Sequence, residues 1–239
     1  MSKKALLACA AALATAIPAI AYADVAFNVG LTSDYRYRGI SQTRVKPAVQ
    51  GGIDYSNGPF YLGAWASSIK WIKDFGGDAD VEIDLYGGYK GAITKDLGFD
   101  VGVLTYQYPS NKLNPSANTT EIYGALTYGP ATLKYSHAVT DTFGNLDSKN
   151  SFYVDLSAGF DLGGGLMLTP HVGYQKIKGP FEDPGSYTDY ALTLSKDFSG
   201  IVVSGAIVGT DADKSFYASP VNGKELGKAG VVLAVKYNF

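Results

Sequence analysis

Cysteine is almost missing from this chain of 239 residues: the single copy is Cys9. Residues 1–23 read as a secretory signal, with Lys3 and Lys4 at the start, an apolar stretch from Ala5 to Ile20, and Ala21-Tyr22-Ala23 as a small-x-small cleavage site. Cleavage there leaves a mature chain with no cysteine, which excludes disulfides, thiolate metal sites and a cysteine nucleophile. Histidine is nearly as scarce, with only His137 and His171. No apolar run approaches ~18 residues after the signal, so helical membrane spans are excluded. Basic charge is not in excess either. Loss of Lys3 and Lys4 leaves 18 of the 20 basic residues against 22 acidic ones, without the basic stripe expected of a nucleic-acid partner. No cofactor motif is present.

What the chain does have is 29 Gly, 18 Tyr and 11 Phe beside only 18% charged residues. Alternating membrane strands produce that mixture of aromatic and small residues at low charge. Period-two alternation recurs along the chain, and a strand puts every second side chain on one face. The pattern predicts twelve strands, at about 25–37, 47–56, 60–71, 80–91, 97–108, 119–128, 131–140, 151–162, 166–177, 187–198, 200–209 and 229–239. The fourth is the clearest, with Val81, Ile83, Leu85 and Tyr89 against Glu82, Asp84, Tyr86 and Lys90. The third is less clean, the fifth changes phase near Thr105 in a way that suggests a bulge, and the eleventh is apolar on both faces. Tight turns such as Asn57-Gly58-Pro59 and Gly129-Pro130 alternate strictly with longer polar connections at 38–46, 72–79, 109–118, 141–150, 178–186 and 210–228. Short periplasmic turns and long external loops are the habit of transmembrane barrels. Outward apolar faces need lipid, and an open strand edge there is intolerable, so the sheet must close. The fold expected is therefore all-β: residues 1–23 as signal, residues 24–239 as a twelve-stranded antiparallel barrel. Tyr35, Tyr37, Tyr55, Tyr89, Tyr106, Tyr108, Tyr128, Tyr135 and Tyr237 lie near strand ends, and about two-thirds of them are expected in aromatic girdles.

The last strand, Val-Leu-Ala-Val-Lys-Tyr-Asn-Phe, resembles the closing strand of bacterial outer-membrane barrels, where Tyr237 and Phe239 would belong to the signal read by the barrel-insertion machinery. The stretch Leu31-Thr32-Ser33-Asp34-Tyr35-Arg36-Tyr37-Arg38-Gly39-Ile40-Ser41-Gln42 resembles the opening signature of the TorF-type family of proteobacterial porins. So do Pro47-Ala48-Val49-Gln50-Gly51-Gly52-Ile53-Asp54-Tyr55, Phe60 to Ser68, and Glu82 to Tyr89. The match is specific over roughly residues 27–91 and is a general barrel pattern beyond. It implies an outer-membrane porin of a Gram-negative bacterium, without cofactor or catalysis. Its partners would be outer-membrane lipids, lipopolysaccharide and small hydrophilic solutes.

With the apolar face outward, parity assigns a pore lining of Asp34, Arg36, Arg38, Gln50, Asp54, Glu82, Asp84, Lys90, Glu121, Lys134, Asp155 and Asp189, joined by Asp100, Asp161, His171 and Lys236. Nine of these are acidic and five basic, which implies a mild cation preference. Arg36 and Arg38 point the same way near the outer mouth, as a structural pair network with Asp34 or as an anion site. Asp74, Asp78 and Asp80 lack the spacing of a calcium loop and read as solvated. The connection 210–228 is long enough to fold inward. Two rival readings stand beside the porin: a plugged structural or adhesin-type barrel, and a lipid-modifying enzyme. For the enzyme, His137 shares an apolar face with Tyr135 and Val139, and no nucleophile motif accompanies it.

Overall fold

The computed structural model describes residues 24–239; the signal expected at 1–23 lies outside the described residues. Twelve antiparallel wall strands run in chain order. They are β1 (Asp24–Thr32), β2 (Ala48–Asn57), β3 (Phe60–Ser68), β4 (Val81–Ala92), β5 (Leu97–Gln107), β6 (Thr119–Tyr128), β7 (Ala131–Ala138), β8 (Phe152–Ala158, resumed at Phe160–Gly163), β9 (Leu166–Lys176), β10 (Tyr187–Phe198), β11 (Ile201–Thr210) and β12 (Gly230–Asn238). Each pairs with its neighbours in sequence, and β1 pairs with β12 from Asn28↔Asn238 to Thr32↔Ala234, so the sheet has no free edge. Phe27 and Phe239 exchange backbone hydrogen bonds across this seam and stack their rings at 5.7 Å.

Alternation decides which face is which. Val25, Phe27, Val29 and Leu31 of β1 are exposed, while Asn28, Gly30 and Thr32 face inward. The third strand resolves the same way, with Phe60 and Leu62 out and Tyr61 and Trp65 in, and the eleventh turns Ile201, Val203 and Ile207 out. Such a continuous apolar exterior is the outer band of a transmembrane barrel. Strand β8 breaks at Gly159, opposite the stretch of β9 that holds Pro170; the pairing keeps one register on either side, from Ser157↔His171 to Phe160↔Leu168. Proline has no N–H for the ladder, so the break falls where a bond would be missing.

Three expectations need correction. The first strand ends at Thr32 rather than Tyr37, because the chain there turns into the lumen. The fifth strand has no bulge near Thr105: it pairs with β6 in constant register from Leu97↔Tyr128 to Tyr106↔Thr119. Tyr106 and Tyr108 simply keep the inward parity of Asp100 and Gly102, and apolar rings inside the lumen imitate a change of phase. For the same reason Tyr35, Tyr106 and Tyr108 are buried internally rather than placed in a girdle, and Tyr37 is half-buried beside them. Tyr89, Tyr128, Tyr135 and Tyr237 are on the outside as expected, joined by Tyr174 and Tyr190.

The glycine content has a structural cause on the inner face of β3 to β6. Tyr61 pairs across from Gly88, Tyr86 from Gly63 and Tyr123 from Gly102. Each ring lies over its glycine, as a Cβ built on any of the three would collide with the phenol. At Gly102 the Cβ would also stand 2.6 Å from the Gly87 carbonyl oxygen, whereas at Gly98 of the same strand the nearest atom is at 3.5 Å. Gly102→Ala should therefore destabilise the folded barrel by about 1–3 kcal/mol through overpacking, and Gly98→Ala should be close to neutral. Urea unfolding of the two refolded variants, followed by tyrosine fluorescence and gel mobility, checks the contrast.

Candidate functional site: the lumen and its inward-folded first connection

Past Thr32 the backbone leaves the wall. Thr32 Oγ1 donates to the Asp34 carbonyl at 3.0 Å, and Ser33 engages both backbone groups of Leu233: its N–H donates to Leu233 O (2.8 Å) and its Oγ accepts from Leu233 N–H (2.9 Å). Asp34 then organises a compact turn: its carboxylate accepts from Arg36 Nε (2.5 Å), Ser41 Oγ (2.5 Å) and Thr43 Oγ1 (3.1 Å). Between these lies a small hairpin, Arg36–Tyr37 against Ile40–Ser41, with Arg38 and Gly39 at its tip at φ 45° and 79°. The tip touches the wall at Asp189 and Thr210, where a side chain on Gly39 would collide with both. Glycine is required there by its left-handed φ and by the close approach.

Arg38 fixes the hairpin across the lumen. Its guanidinium donates to Glu121 Oε2 on β6 at 2.7 Å and to Gln175 Oε1 on β9 at 2.6 Å. It also lies over the rings of Tyr37 (4.8 Å) and Tyr153 (4.2 Å). The side chains of Arg38 and Glu121 are 6% and 2% exposed, so each is the other's counter-charge inside the protein. Around this pair, Tyr35 donates to Glu82, Tyr37 to Tyr106 at 2.6 Å, and Tyr106 to Glu121 at 3.2 Å. Arg36 caps the carbonyls of Gly39, Leu226 and Lys228 at 2.9–3.0 Å. Leu226 itself belongs to the connection 210–228 and packs on Ile40 and Tyr187. That connection therefore backs the insertion, and the segment that crosses the lumen is 33–46. A one-turn helix, α1 (Trp71–Asp74), seals the other side, where Ile69 and Ile72 are fully buried with Tyr35, Tyr106 and Tyr108.

The expected pore-lining residues thus divide. Asp34, Arg36 and Arg38 are inside the barrel, but on the inserted hairpin and not on a wall strand. Glu82, Glu121 and Asp189 are wall residues buried at the level of the hairpin. Asp189 accepts from Tyr153 (2.8 Å) and lies 3.0 Å from His171 Nε2, with Asp155 at 4.0 Å from the other ring nitrogen. Asp54, Asp84, Lys90, Asp100 and Lys134 face inward further towards the short-turn end. There Tyr86 donates to Asp54, Tyr61 to Asp100 at 2.6 Å, and Lys134 covers the Tyr123 ring at 4.0 Å. Gln50 bonds to Ser67 at 3.3 Å. Carboxylates facing phenols are the recurring unit of this interior.

Residues 16–239 match the family described as Gcw_chp, bacterial proteins of unknown function. The chain belongs to that family. No curated protein matches the sequence. Among solved structures, this Gcw_chp barrel is similar to the KdgM porin (TM-score 0.57, 7% identity, over 91% of this chain and 99% of that one). It is equally similar to the NanC porin (TM-score 0.57, 10% identity, 90% and 99%). A weaker likeness is to the COG4313 outer membrane channel of Pseudomonas putida F1 (TM-score 0.49, 15% identity, 93% and 96%). The first two show a shared porin-type fold.

Sequence reasoning missed Gln175 and Tyr153 as holders of Arg38, and Tyr106 as a donor to its partner Glu121, since pairing between distant strands leaves no local pattern. The inserted hairpin did leave a signal: a first strand of 25–37 is longer than the ~9–11 residues a barrel strand needs, and Arg38-Gly39 is turn chemistry. The loop carboxylates of the Gcw_chp chain are paired: Asp78 with Lys112 at 2.8 Å and Asp80 with Lys73 at 2.9 Å. In each case the lysine's hydrogen bond and charge hold the carboxyl below its ordinary range. His137 lies on the outward face, bonded to Tyr135 and Asn150. Removing Arg38 would strand Glu121 without its counter-charge, a loss of about 3–5 kcal/mol. Arg38→Ala should therefore expose segment 33–46 to trypsin at Arg36 and Arg44, and Arg38→Ala with Glu121→Gln should restore most of the protection. Limited proteolysis of the refolded barrels reads both.

Proposed function

We propose that this protein is a narrow outer-membrane channel for small hydrophilic solutes, constricted by its own first connection. The observation that carries the reading is an apolar barrel with a polar interior, into whose mouth a hairpin folds and is held to the wall by side-chain bonds. Lys90, Asp100 and Lys134 towards the short-turn end are half-buried, whereas Glu82, Glu121 and Asp189 around the hairpin are buried. The resemblance to TorF-type porins over residues 27–91 agrees with this, as does the porin-type fold. Short turns belong on the periplasmic side and the long connections outside, so the constriction lies at the outer mouth. Passage is by diffusion, with no coupling to energy. The acidic excess among the lining groups supports a mild cation preference.

A second reading, a closed structural barrel, is favoured by the packing of Tyr35, Ile69, Ile72, Tyr106 and Tyr108 at the outer mouth. Planar-bilayer recording decides between them. The refolded protein should give small ohmic steps, reversing on the cation side in a salt gradient. Replacing 34–43 by a short Gly-Ser linker should raise the unit conductance severalfold. Silence from both, with insertion confirmed, would favour the closed barrel, and anion-side reversal would sink the charge preference alone.

A further inference from the structure

We infer that the rim at the long-connection end carries a phosphate-binding pocket, built by Arg44, Lys46 and Lys70. A cavity of about 190 Å³ opens between the outer ends of β2 and β3, lined by these three cations with Thr43, Ser68 and Asn222. Arg44 Nε lies 3.0 Å from Asp74 as an ion pair, and no hydrogen bond from the Arg44 guanidinium to another side chain is formed among the described residues. Lys73 already neutralises Asp80 at 2.9 Å. Among the described residues Lys46 and Lys70 form no ion pair of their own, although the charge of Lys70 is felt by Asp74 and Asp80. Four cations thus meet two carboxylates, and the local excess of two positive charges matches a phosphate monoester, which carries about −1.5 to −2 near neutrality. Lysine point charges beside an arginine fork are the usual chemistry of phosphate recognition.

The pocket is also pre-shaped. Arg44 and Val45 follow one another in the left-handed region at φ 58° and 59°, which a β-branched residue rarely adopts. Val45 N–H bonds to Ser41 Oγ (2.8 Å) and Thr43 Oγ1 to the Lys46 carbonyl (2.6 Å), so the turn that presents Arg44 and Lys46 is anchored to the inserted hairpin. Its level is equally specific. Val49, 59% exposed, begins the apolar outer face of β2 three residues after Lys46, and exposed Val81 sits across from Ser68. The pocket therefore lies just beyond the apolar band, at the depth of headgroup phosphates, while remaining open to a phosphorylated solute.

The lipid source rests on the outer-membrane placement proposed above, but the site does not rest on conduction; a silent bilayer would leave this test unaffected. Refolded protein in zwitterionic detergent at low salt is titrated with diphosphoryl lipid A in mixed micelles and, separately, with inorganic phosphate. Lys46→Ala/Lys70→Ala should lose about tenfold in affinity, while a control pair at the opposite, short-turn end, Lys95→Ala/Lys196→Ala, should not. Binding of lipid A alone identifies a headgroup site, and binding of both ligands identifies a general phosphate site. A Lys46→Gln/Lys70→Gln pair repeats the measurement if the alanine variant refolds poorly. Equal affinity in wild type and both rim variants, or no binding of either ligand by the wild type, overturns the proposal.

Discussion

A guanidinium taken out of water must find its counter-charge and its hydrogen-bond acceptors inside the protein, and the interior of this barrel is arranged around Arg38. The counter-charge comes from β6, the amide acceptor from β9 and an aromatic face from β8. Three strands from the part of the wall opposite β1 are thereby tied to a hairpin that follows the first strand. The cost of burying such a pair is recovered only where the geometry is good and the remaining donors are used. Here the neighbouring phenols of Tyr37 and Tyr106 complete the set. The same burial makes the hairpin a discrete part: it is held by side chains, not by the wall's backbone ladder, so it can be altered without opening the barrel.

The composition follows from that arrangement. A wall of alternating residues offers the interior only every second side chain, and those must be polar enough for water yet large enough to meet the insert. Tyrosine does both, and glycine on the next strand gives its ring a place to lie, as with Tyr61 on Gly88 and Tyr123 on Gly102. Phenol then meets carboxylate repeatedly, at Glu82, Asp54, Asp100 and Asp189. The high glycine and tyrosine counts are two halves of one packing solution.

Most of the wall was legible in the sequence because its signal is local. Alternation and turn chemistry located the sixth and tenth strands at 119–128 and 187–198, as found, and the others to within a few residues, apart from the first and third. Both exceptions run into the mouth, where the chain obeys the insert: alternation continues past Thr32 to Tyr37 in the first, and past Ser68 to Trp71, the start of α1, in the third. Glu82, Glu121 and Asp189 are buried on the inner face, at the parity that alternation assigns them. What parity could not carry was the difference between a wall residue and a residue inside the barrel on another element. Asp34, Arg36 and Arg38 alternate as a strand would, yet the partners of the two arginines, Leu226, Gln175 and Glu121, are set by closure of the whole sheet.

Hydrogen exchange tests the central claim, that segment 33–46 is folded into the lumen, most directly. In the folded barrel, Ser41 N–H is bonded to the Leu226 carbonyl, Gln42 N–H to that of Tyr35, and Tyr35 N–H to Thr43 Oγ1. Mass spectrometry of peptides covering 33–46 in the refolded protein should show protection approaching that of the wall strands. Exchange of that segment as fast as an open surface loop would contradict the inserted hairpin and, with it, the constriction at the mouth.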